Sequence, residues 1–453
     1  MANGISGKMR IPTTADLMSM WNASGLKEKL IFTFLMLVLF RLGIHLPIYG
    51  INESVFANII NSGNGNNILG FLDLFSGGAL GKVSIFALGI GPYITASIIM
   101  QLLAVIVPSL EKLQKEDGEA GRRKLSQYTR VFAIFLAIFQ AIIFMTYLSR
   151  VEGAITPGLS HAMFYASSIL SLTAGSALVM WISELITEKG IGNGGSLIIF
   201  VGIISGIPLY AKNTAQIIAN NGMAQLGLLT LLAIFFTTMI LIVIMQEAVR
   251  KVIIVNPKRQ VGNKVYGGVN TFIPFKLNPG GVMPIIFAVA ILLFPSTILN
   301  LLQGMNMEMN SSLSSIVSFL SSIFSPSGKT YYVLYFTLIV GLTFFYASIM
   351  PNMQPKEIAN NLKKHGSSIP GIKPGKPTAD ALDKILSRTT FIGALGLGII
   401  ALVPSVASYI TGITTLQGIG ATSLIIMVGV ALDLINQVRT HLLARNYESF
   451  LKE

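Results

Sequence analysis

Ten apolar stretches, each close to the length needed to cross a membrane, divide this chain into loops of alternating charge. Apolar runs of about 20 residues match the ~30 Å hydrocarbon core of a bilayer. Lipid offers the backbone no hydrogen-bond partners, so we expect helices, since only a closed barrel could otherwise span it. The predicted spans cover residues 30–48, 83–107, 128–148, 163–186, 195–209, 226–245, 282–301, 331–350, 391–406 and 418–434.

Positive charge is distributed unevenly between the loops. Of the 32 Lys and Arg residues, 27 lie in alternate loops or at the two ends, the exceptions being Arg41, Lys82, Arg150, Lys212 and Lys329. Positive charge is retained on the cytoplasmic side of a membrane, so the pattern predicts that both termini are cytoplasmic. The net charge of +13 is interpreted mainly as this topological signal, with some left for a cytoplasmic partner. Charged residues make up only 11% of the chain, against about 25% in soluble proteins.

Ten spans divide naturally into five and five. With a cytoplasmic amino terminus the second set begins outside, so the two halves have inverted topology. We therefore predict an all-α integral membrane fold of ten transmembrane helices in two inverted five-helix halves, 1–212 and 226–453, joined by an external hinge at 213–225. No clear sequence similarity relates the halves, so the repeat rests on topology alone.

Isoleucine pairs stand out in two spans. Ile90 and Ile94 lie four residues apart in the second span, and Ile199 and Ile203 repeat this spacing in the short, glycine-rich fifth span. Each pair therefore shares one helix face. Ordinary packing explains such pairs, and the alternative is a hydrophobic constriction that blocks ions by dewetting. The glycines of the fifth span favour close helix packing inside the bundle over a lipid-facing position.

A short apolar segment precedes the second span. Residues 68–75 are too few to cross a bilayer, and the sequence SGG at 76–78 separates them from the span. Such a segment is either a re-entrant helix buried in protein or an interfacial helix on the outer leaflet. The residue pattern leaves both alternatives open.

Two cytoplasmic loops are much longer than a connection requires. In loop 246–281, two β-prone runs separated by a polar turn predict a projecting β-hairpin. In loop 351–388, Pro and Gly predict a rigid, irregular segment. Long loops carry function more often than short ones.

The chemistry of an enzyme or a coupled transporter is missing from the sequence. Ionisable residues within membranes mark proton or ion paths. Here Arg41 lies near the outer end of its span and can extend to the interface. Carboxylates lie near the cytoplasmic ends of spans, where we interpret them as solvated or paired: Glu184, Glu188, Glu247 and Asp433. With no cysteine, no histidine ligand spacing and no catalytic cluster, we predict no enzymatic activity, no cofactor and no metal site.

Six ordered segments resemble the SecY family, the channel subunits of the bacterial protein translocon. The resemblance covers essentially the whole chain. The segments are LDLFSGGALGKVSIFALGIGPYITASIIMQLL, KEDGEAGRRKLSQYTR, ELITEKGIGNGGSLIIF, VNPKRQVGNKVY, IPFKLNPGGVMPIIFA and NNLKKHGSSIPGIKPGKPTADALDKILSR.

This resemblance implies two inverted halves closing around an hourglass-shaped central pore with a side opening, the lateral gate. It implies a re-entrant plug helix at about 68–80, in place of the interfacial alternative. The implied plug residues are Ile68, Leu69, Phe71, Leu72, Leu74 and Phe75. The implied pore ring consists of Ile90, Ile94, Ile199, Ile203, Ile286 and Ile426.

The resemblance also implies partners. In this family the two long loops bind the ribosome and the ATPase SecA, which points here to Lys258, Arg259 and Lys373. Lys373 stands where the family typically has Arg, so the charge is kept but the planar, bidentate guanidinium is lost. SecE and SecG are expected to accompany the chain, and contact with nucleic acid is expected only through ribosomal RNA.

We therefore predict the central protein-conducting channel of the Sec translocon, in the bacterial plasma membrane. It would pass unfolded preproteins and nascent chains across the membrane and release transmembrane segments sideways into lipid. The alternative is a secondary transporter built from inverted repeats, which requires a polar site at mid-membrane. A membrane enzyme acting on lipids would require a catalytic cluster that the sequence does not show.

Overall fold

Helices make up most of the computed structural model, which describes residues 25–52, 73, 76–115, 118–149, 153, 155, 160–220, 224–256, 258–261, 264–267, 271–304, 311–324, 328–349, 354–411 and 421–450. The helices are α1 (Leu26–Gly43), α2 (Gly91–Ile106), α3 (Pro108–Lys115), α4 (Gly118–Leu148), α5 (His161–Lys189), α6 (Gly194–Asn220), α7 (Ala224–Glu247), α8 (Met283–Gly304), α9 (Ser311–Phe324), α10 (Lys329–Ile349), α11 (Pro355–Lys364), α12 (Lys376–Thr411) and α13 (Ala421–Phe450).

A helix lies at each predicted span, so the chain has the all-α, multi-span architecture expected from its apolar stretches. Within the described residues, five helices are long and apolar enough to cross a membrane by themselves, in α4, α5, α10, α12 and α13. Shorter apolar helices lie in α2, α6, α7 and α8. On α4, large apolar side chains such as Phe135 and Val131 are more than 60% exposed, which suits a surface in contact with lipid. That the chain crosses the membrane ten times stays a prediction.

The second predicted span is helical only from Gly91 onward. The preceding residues 83–90 form a series of turns, and Val83 has a φ of 44°, a conformation that β-branched residues rarely adopt. This stretch is buried in protein, where its backbone finds partners, as when Ile85 N donates to Leu46 O at 3.0 Å. Irregular backbone is tolerated at membrane depth under this condition. The prediction that this helix begins at Val83 was therefore wrong, because the helix begins about two turns later.

A glycine on α5 makes room for this irregular stretch. A Cβ atom built on Gly175 would lie 1.9 Å from the carbonyl oxygen of Ile85, so a larger residue does not fit without movement. The next residue, Ser176, donates its hydroxyl to Gly89 O at 3.4 Å. Phe86 stacks on Phe40 of α1 with ring centroids 6.0 Å apart. The stretch is therefore held between α1 and α5.

The glycine-rich fifth span lies inside the bundle. Leu197, Ile198 and Ile199 of α6 are at most 2% exposed, and a Cβ on Gly194 would lie 1.9 Å from Ser183 O of α5. The helix is longer than predicted, because it continues through Pro208 to Asn220. Residues 213–220 of the predicted hinge are therefore helical.

The first long loop forms the predicted hairpin. Strands β1 (Val249–Ile254) and β4 (Thr271–Lys276) pair antiparallel, and so do β2 (Lys258–Val261) and β3 (Lys264–Gly267). The register runs from Val249↔Lys276 to Ile254↔Thr271.

The two long loops pack on each other to form one unit, here called the cytoplasmic unit after its predicted location. Val252 and Phe275 of the hairpin share a buried cluster with Ile369, Leu382 and Leu386. A bridge between Val255 and Ser368 adds two backbone hydrogen bonds, of 2.9 and 3.1 Å. The second loop is more regular than predicted, since it contains α11 and the first turns of α12. Pro355 occupies the first turn of α11, where proline favours a helix start.

Candidate functional site: an isoleucine cluster below a polar vestibule

The six isoleucines proposed for a pore ring come from four helices and meet in one region. Five of them belong to the same cluster of buried residues, and the sixth packs against it. Ile90, Ile199, Ile203, Ile286 and Ile426 are each at most 4% exposed, whereas Ile94 is partly buried. Ile90 caps the start of α2, and its Cδ1 would lie 3.3 Å from a Cβ on Gly195 of α6.

A cavity of about 640 Å³ borders this isoleucine cluster and is here called the vestibule. Ile94, Ile199 and Ile286 form part of its lining. The rest of the wall is mostly polar and comes from α2, α4, α5, the start of α6 and α8. Its polar residues are Ser97, Gln101, Arg123, Ser126, Gln127, Arg130, Ser183, Glu184, Thr187, Glu188, Asn193 and Ser196.

An ion pair on the vestibule wall joins α4 to α5. Arg130 Nε donates to Glu184 Oε1 at 2.6 Å, and the two side chains are 47% and 18% exposed. Hydrogen bonds between charged groups are shorter and stronger than neutral ones. Glu184 is therefore paired, in line with its interpretation from the sequence, but the vestibule that it lines was not predicted.

The SGG break before the second span is a turn held by hydrogen bonds. Gly77 and Gly78 both have positive φ, of 71° and 87°, which glycine adopts without steric cost. The carboxylate of Asp73 accepts from Gly81 N at 2.6 Å, and Asp73 O accepts from Gly78 N at 2.8 Å. Burial raises the pKa of the Asp73 carboxyl, while the hydrogen bond from Gly81 and the charge of Arg41 oppose that shift.

Arg41 points toward this turn. Its Nη1 donates to Gly77 O at 2.6 Å, so the guanidinium binds protein backbone at the outer end of α1. From the sequence we expected the Arg41 side chain to extend to the membrane interface, and its contact with the backbone of Gly77 was not predicted. The six residues predicted as the plug lie outside the described residues: Ile68, Leu69, Phe71, Leu72, Leu74 and Phe75.

The residues predicted to bind partners lie in the cytoplasmic unit. Lys258 and Arg259 begin β2, and Arg259 pairs with Tyr266 of β3. Lys373 is exposed just before α12, and its carbonyl oxygen accepts from the Thr378 hydroxyl at 2.8 Å. Among the described residues, no group of three His, Asp or Glu side chains is placed to hold a metal ion.

The amino-acid sequence is similar to known protein families and structures over nearly its whole length. A family model described as SecY matches residues 84–435. The protein translocase subunit SecY of Synechococcus elongatus is 43% identical over 442 residues, covering 96% of this chain and 97% of that protein. The protein of the same description from Aquifex aeolicus is 40% identical and covers 96% and 99%.

Solved structures share the fold. One described as a protein-conducting channel has a TM-score of 0.62 at 18% identity, covering 92% of each chain. Sec61 from a canine ribosome–channel complex of the endoplasmic reticulum has a TM-score of 0.60 at 17% identity, again covering 92% of each.

Proposed function

Because this chain belongs to the SecY family, we propose that its isoleucine cluster is the gate of a channel for unfolded polypeptide. The chain is a protein translocase channel subunit rather than a catalyst. One observation carries the proposal about the gate: the mostly polar vestibule is also lined by three isoleucines of a buried apolar cluster. A hydrophobic constriction dewets and so blocks ions while closed.

The helices that carry the six isoleucines support a division of the chain into two inverted halves, 1–212 and 226–453. The ring residues lie on α2 and α6, which are the second and fifth spans of the first half, and on α8 and α13, which hold these positions in the second half. Side chains from equivalent positions of two such halves converge on their shared axis. An apolar ring also offers no fixed charge that could trap a passing chain.

The turn at Ser76–Gly81 supports a seal on the outer side of the ring. Arg41 fixes this turn to α1, and Gly77 lies against Gly202 of α6, one residue before Ile203. In the proposed resting state, the segment 68–80 covers the ring from outside. During transport it moves away, and apolar segments of the substrate leave sideways into lipid.

The cytoplasmic unit is the proposed binding site for the ribosome and SecA. Its exposed cations, including Lys373, favour acidic protein surfaces and ribosomal RNA phosphates. Energy then comes from translation or from ATP hydrolysis by SecA. We place the chain in the bacterial plasma membrane with SecE and SecG, both termini cytoplasmic.

The alternative function, a secondary transporter built from inverted repeats, fits the site less well. The charged residues of the vestibule lie where α4 begins and α5 ends, near the predicted cytoplasmic surface, and three isoleucines are also part of its lining. A coupled transporter needs its polar site at mid-membrane.

Crosslinking of a stalled substrate tests the gate directly. The chain contains no cysteine, so single cysteines can be introduced without removing any. Ile203→Cys lies at a fully buried ring position, and the neighbouring Ile204→Cys, 41% exposed, is a matched control on the same helix turn. We expect a translocating chain that carries a photoreactive or cysteine probe to crosslink to position 203 and not to 204. Equal crosslinking at both positions, or none at any of the six ring positions, would exclude the ring.

A further inference from the structure

The two halves meet along two seams that differ in their packing. On one side, α6 and α13 are in close contact: a Cβ on Gly192 would lie 3.0 Å from Leu434 Cδ2, and Gly192 N donates to Gln437 Oε1 at 2.7 Å. The same Cβ would lie 3.1 Å from Cδ1 of Leu197, which is 2% exposed. The helices are densely packed along this seam, so separating them would break these contacts.

The opposite seam runs beside the vestibule, between α2 of the first half and α8 and α10 of the second. Gln101 of α2 and Phe287 of α8 both line the cavity. Here the Tyr346 hydroxyl of α10 donates to Gln101 Oε1 at 3.1 Å. Gln101 Nε2 in turn donates to Ser97 Oγ at 3.2 Å, which fixes the amide orientation.

The ring of Tyr346 is held separately from its hydroxyl. It packs edge-on against Phe287 with centroids 5.3 Å apart, and its Cβ would lie 3.3 Å from a Cβ on Gly280. The aromatic packing therefore stays within the second half, whereas the hydroxyl reaches across the seam. Removing the oxygen alone would leave the ring contacts intact.

We propose that the Tyr346–Gln101 hydrogen bond is a latch that keeps the vestibule closed toward lipid in the resting state. The inference rests on the proposed function: the family resemblance already implies a lateral gate, and the structure adds the hydrogen bond that holds this seam closed. Parting α2 from α10 breaks the bond, and each polar group then needs a partner from substrate or water. Interhelical hydrogen bonds in membranes typically bias an equilibrium by about threefold, which suits a latch that a substrate must release.

Distance measurements test the latch without relying on transport. Spin labels on Leu103→Cys of α2 and Ser348→Cys of α10, both exposed, report the seam in the full chain with its partner subunits in lipid nanodiscs. We expect Tyr346→Phe and Gln101→Leu each to raise the population with the longer label distance by about threefold. The double variant should add little, since each change removes the same bond.

The matched control is Tyr335→Phe. It removes the hydroxyl of a more deeply buried tyrosine on the same helix, which bonds to Thr422 Oγ1 at 2.9 Å within the second half. This variant should leave the label distances at the seam unchanged. Distances in Tyr346→Phe equal to those of the parent, or a shift of the same size in Tyr335→Phe, would overturn the latch.

Export of a reporter with a defective signal sequence separates the latch from the proposed function. We expect export to rise in Tyr346→Phe together with the longer distance. If the parent chain with its partners exports no reporter, even one with an intact signal, the channel function fails, while the distance measurement still decides the latch.

Discussion

Arg41 Nη1 lies 2.6 Å from the carbonyl oxygen of Gly77, and so ties the end of α1 to the turn at the end of the predicted plug segment. Removing this contact by Arg41→Gln should loosen the turn, because hydrogen bonds to charged groups contribute about 1.5–3 kcal/mol. We expect brief ion-conducting openings of the resting channel in planar bilayer recordings. Arg41→Lys, which keeps a charged donor, should leak less. Recordings of Arg41→Gln as silent as those of the parent would show that the contact does not support the seal.

Deleting about residues 67–78, which hold most of the predicted plug, should leave a folded channel whose resting state leaks ions intermittently. Partial leakage is expected because neighbouring residues can refill the space. Single-channel recordings in lipid check this, with the parent measured at the same protein density. Silence of the deletion variant would mean that the segment is not a seal.

Replacing Ile94, Ile199 and Ile286 together with Asn should weaken the closed state, because polar groups wet the constriction. Export of a reporter with a defective signal sequence should then rise. A control with Asn at lipid-exposed Ile134, Ile138 and Ile204 should instead impair insertion, since polar groups meet hydrocarbon without partners. Reduced insertion of the ring variant, with no rise in reporter export, would place these residues in ordinary packing.

Reversing charge in the cytoplasmic unit should affect binding more than folding. The triple variant Lys258→Glu, Arg259→Glu and Lys373→Glu is expected to weaken SecA and ribosome affinity and to slow transport. Lys373 is exposed, and surface substitutions usually change stability by no more than about 0.5 kcal/mol, so we expect insertion and thermal stability to stay near those of the parent. Binding assays with purified SecA and ribosomes check this, and unchanged affinities would contradict the assignment.

Gly175→Ala should destabilise the fold, because its Cβ would meet the carbonyl oxygen of Ile85 at 1.9 Å. Overpacking of this kind costs about 1–3 kcal/mol or more. Gly341→Ala in α10 is the matched control: it is also a mid-helix glycine, but a Cβ there meets nothing within 4 Å. Thermal stability in detergent should fall for the first variant and hold or rise for the second.

The positions of the helices were predictable because lipid allows few other ways to bury a long apolar stretch. The irregular residues 83–90 were not, because they are as apolar as the helix after them. Hydropathy reports where a segment lies, but the conformation here depends on Phe40 and Gly175, which are distant in sequence. The extension of α12 to Lys376 was also missed, since its first turns are polar and resemble a loop.

The isoleucine cluster was predictable in part. Helical spacing drew attention to Ile90, Ile94, Ile199 and Ile203, but Ile286 and Ile426 came only from family resemblance. The vestibule was missed because its polar residues are spread over several segments. Each of them, such as Gln127 or Glu184, looks like an ordinary solvated helix end until tertiary packing brings them around one cavity.

Helix α12 runs without interruption from the cytoplasmic unit into the membrane, 36 residues or about 54 Å at the usual rise. Leu382 and Leu386 anchor one part of it among the loops, and Leu397 and Ile400 anchor another in the main core. Its internal proline, Pro404, lies beyond both anchor points. Because the helix is continuous between the two anchor points, a partner that tilted the loops would be expected to displace the residues packed in the core, without entering the vestibule.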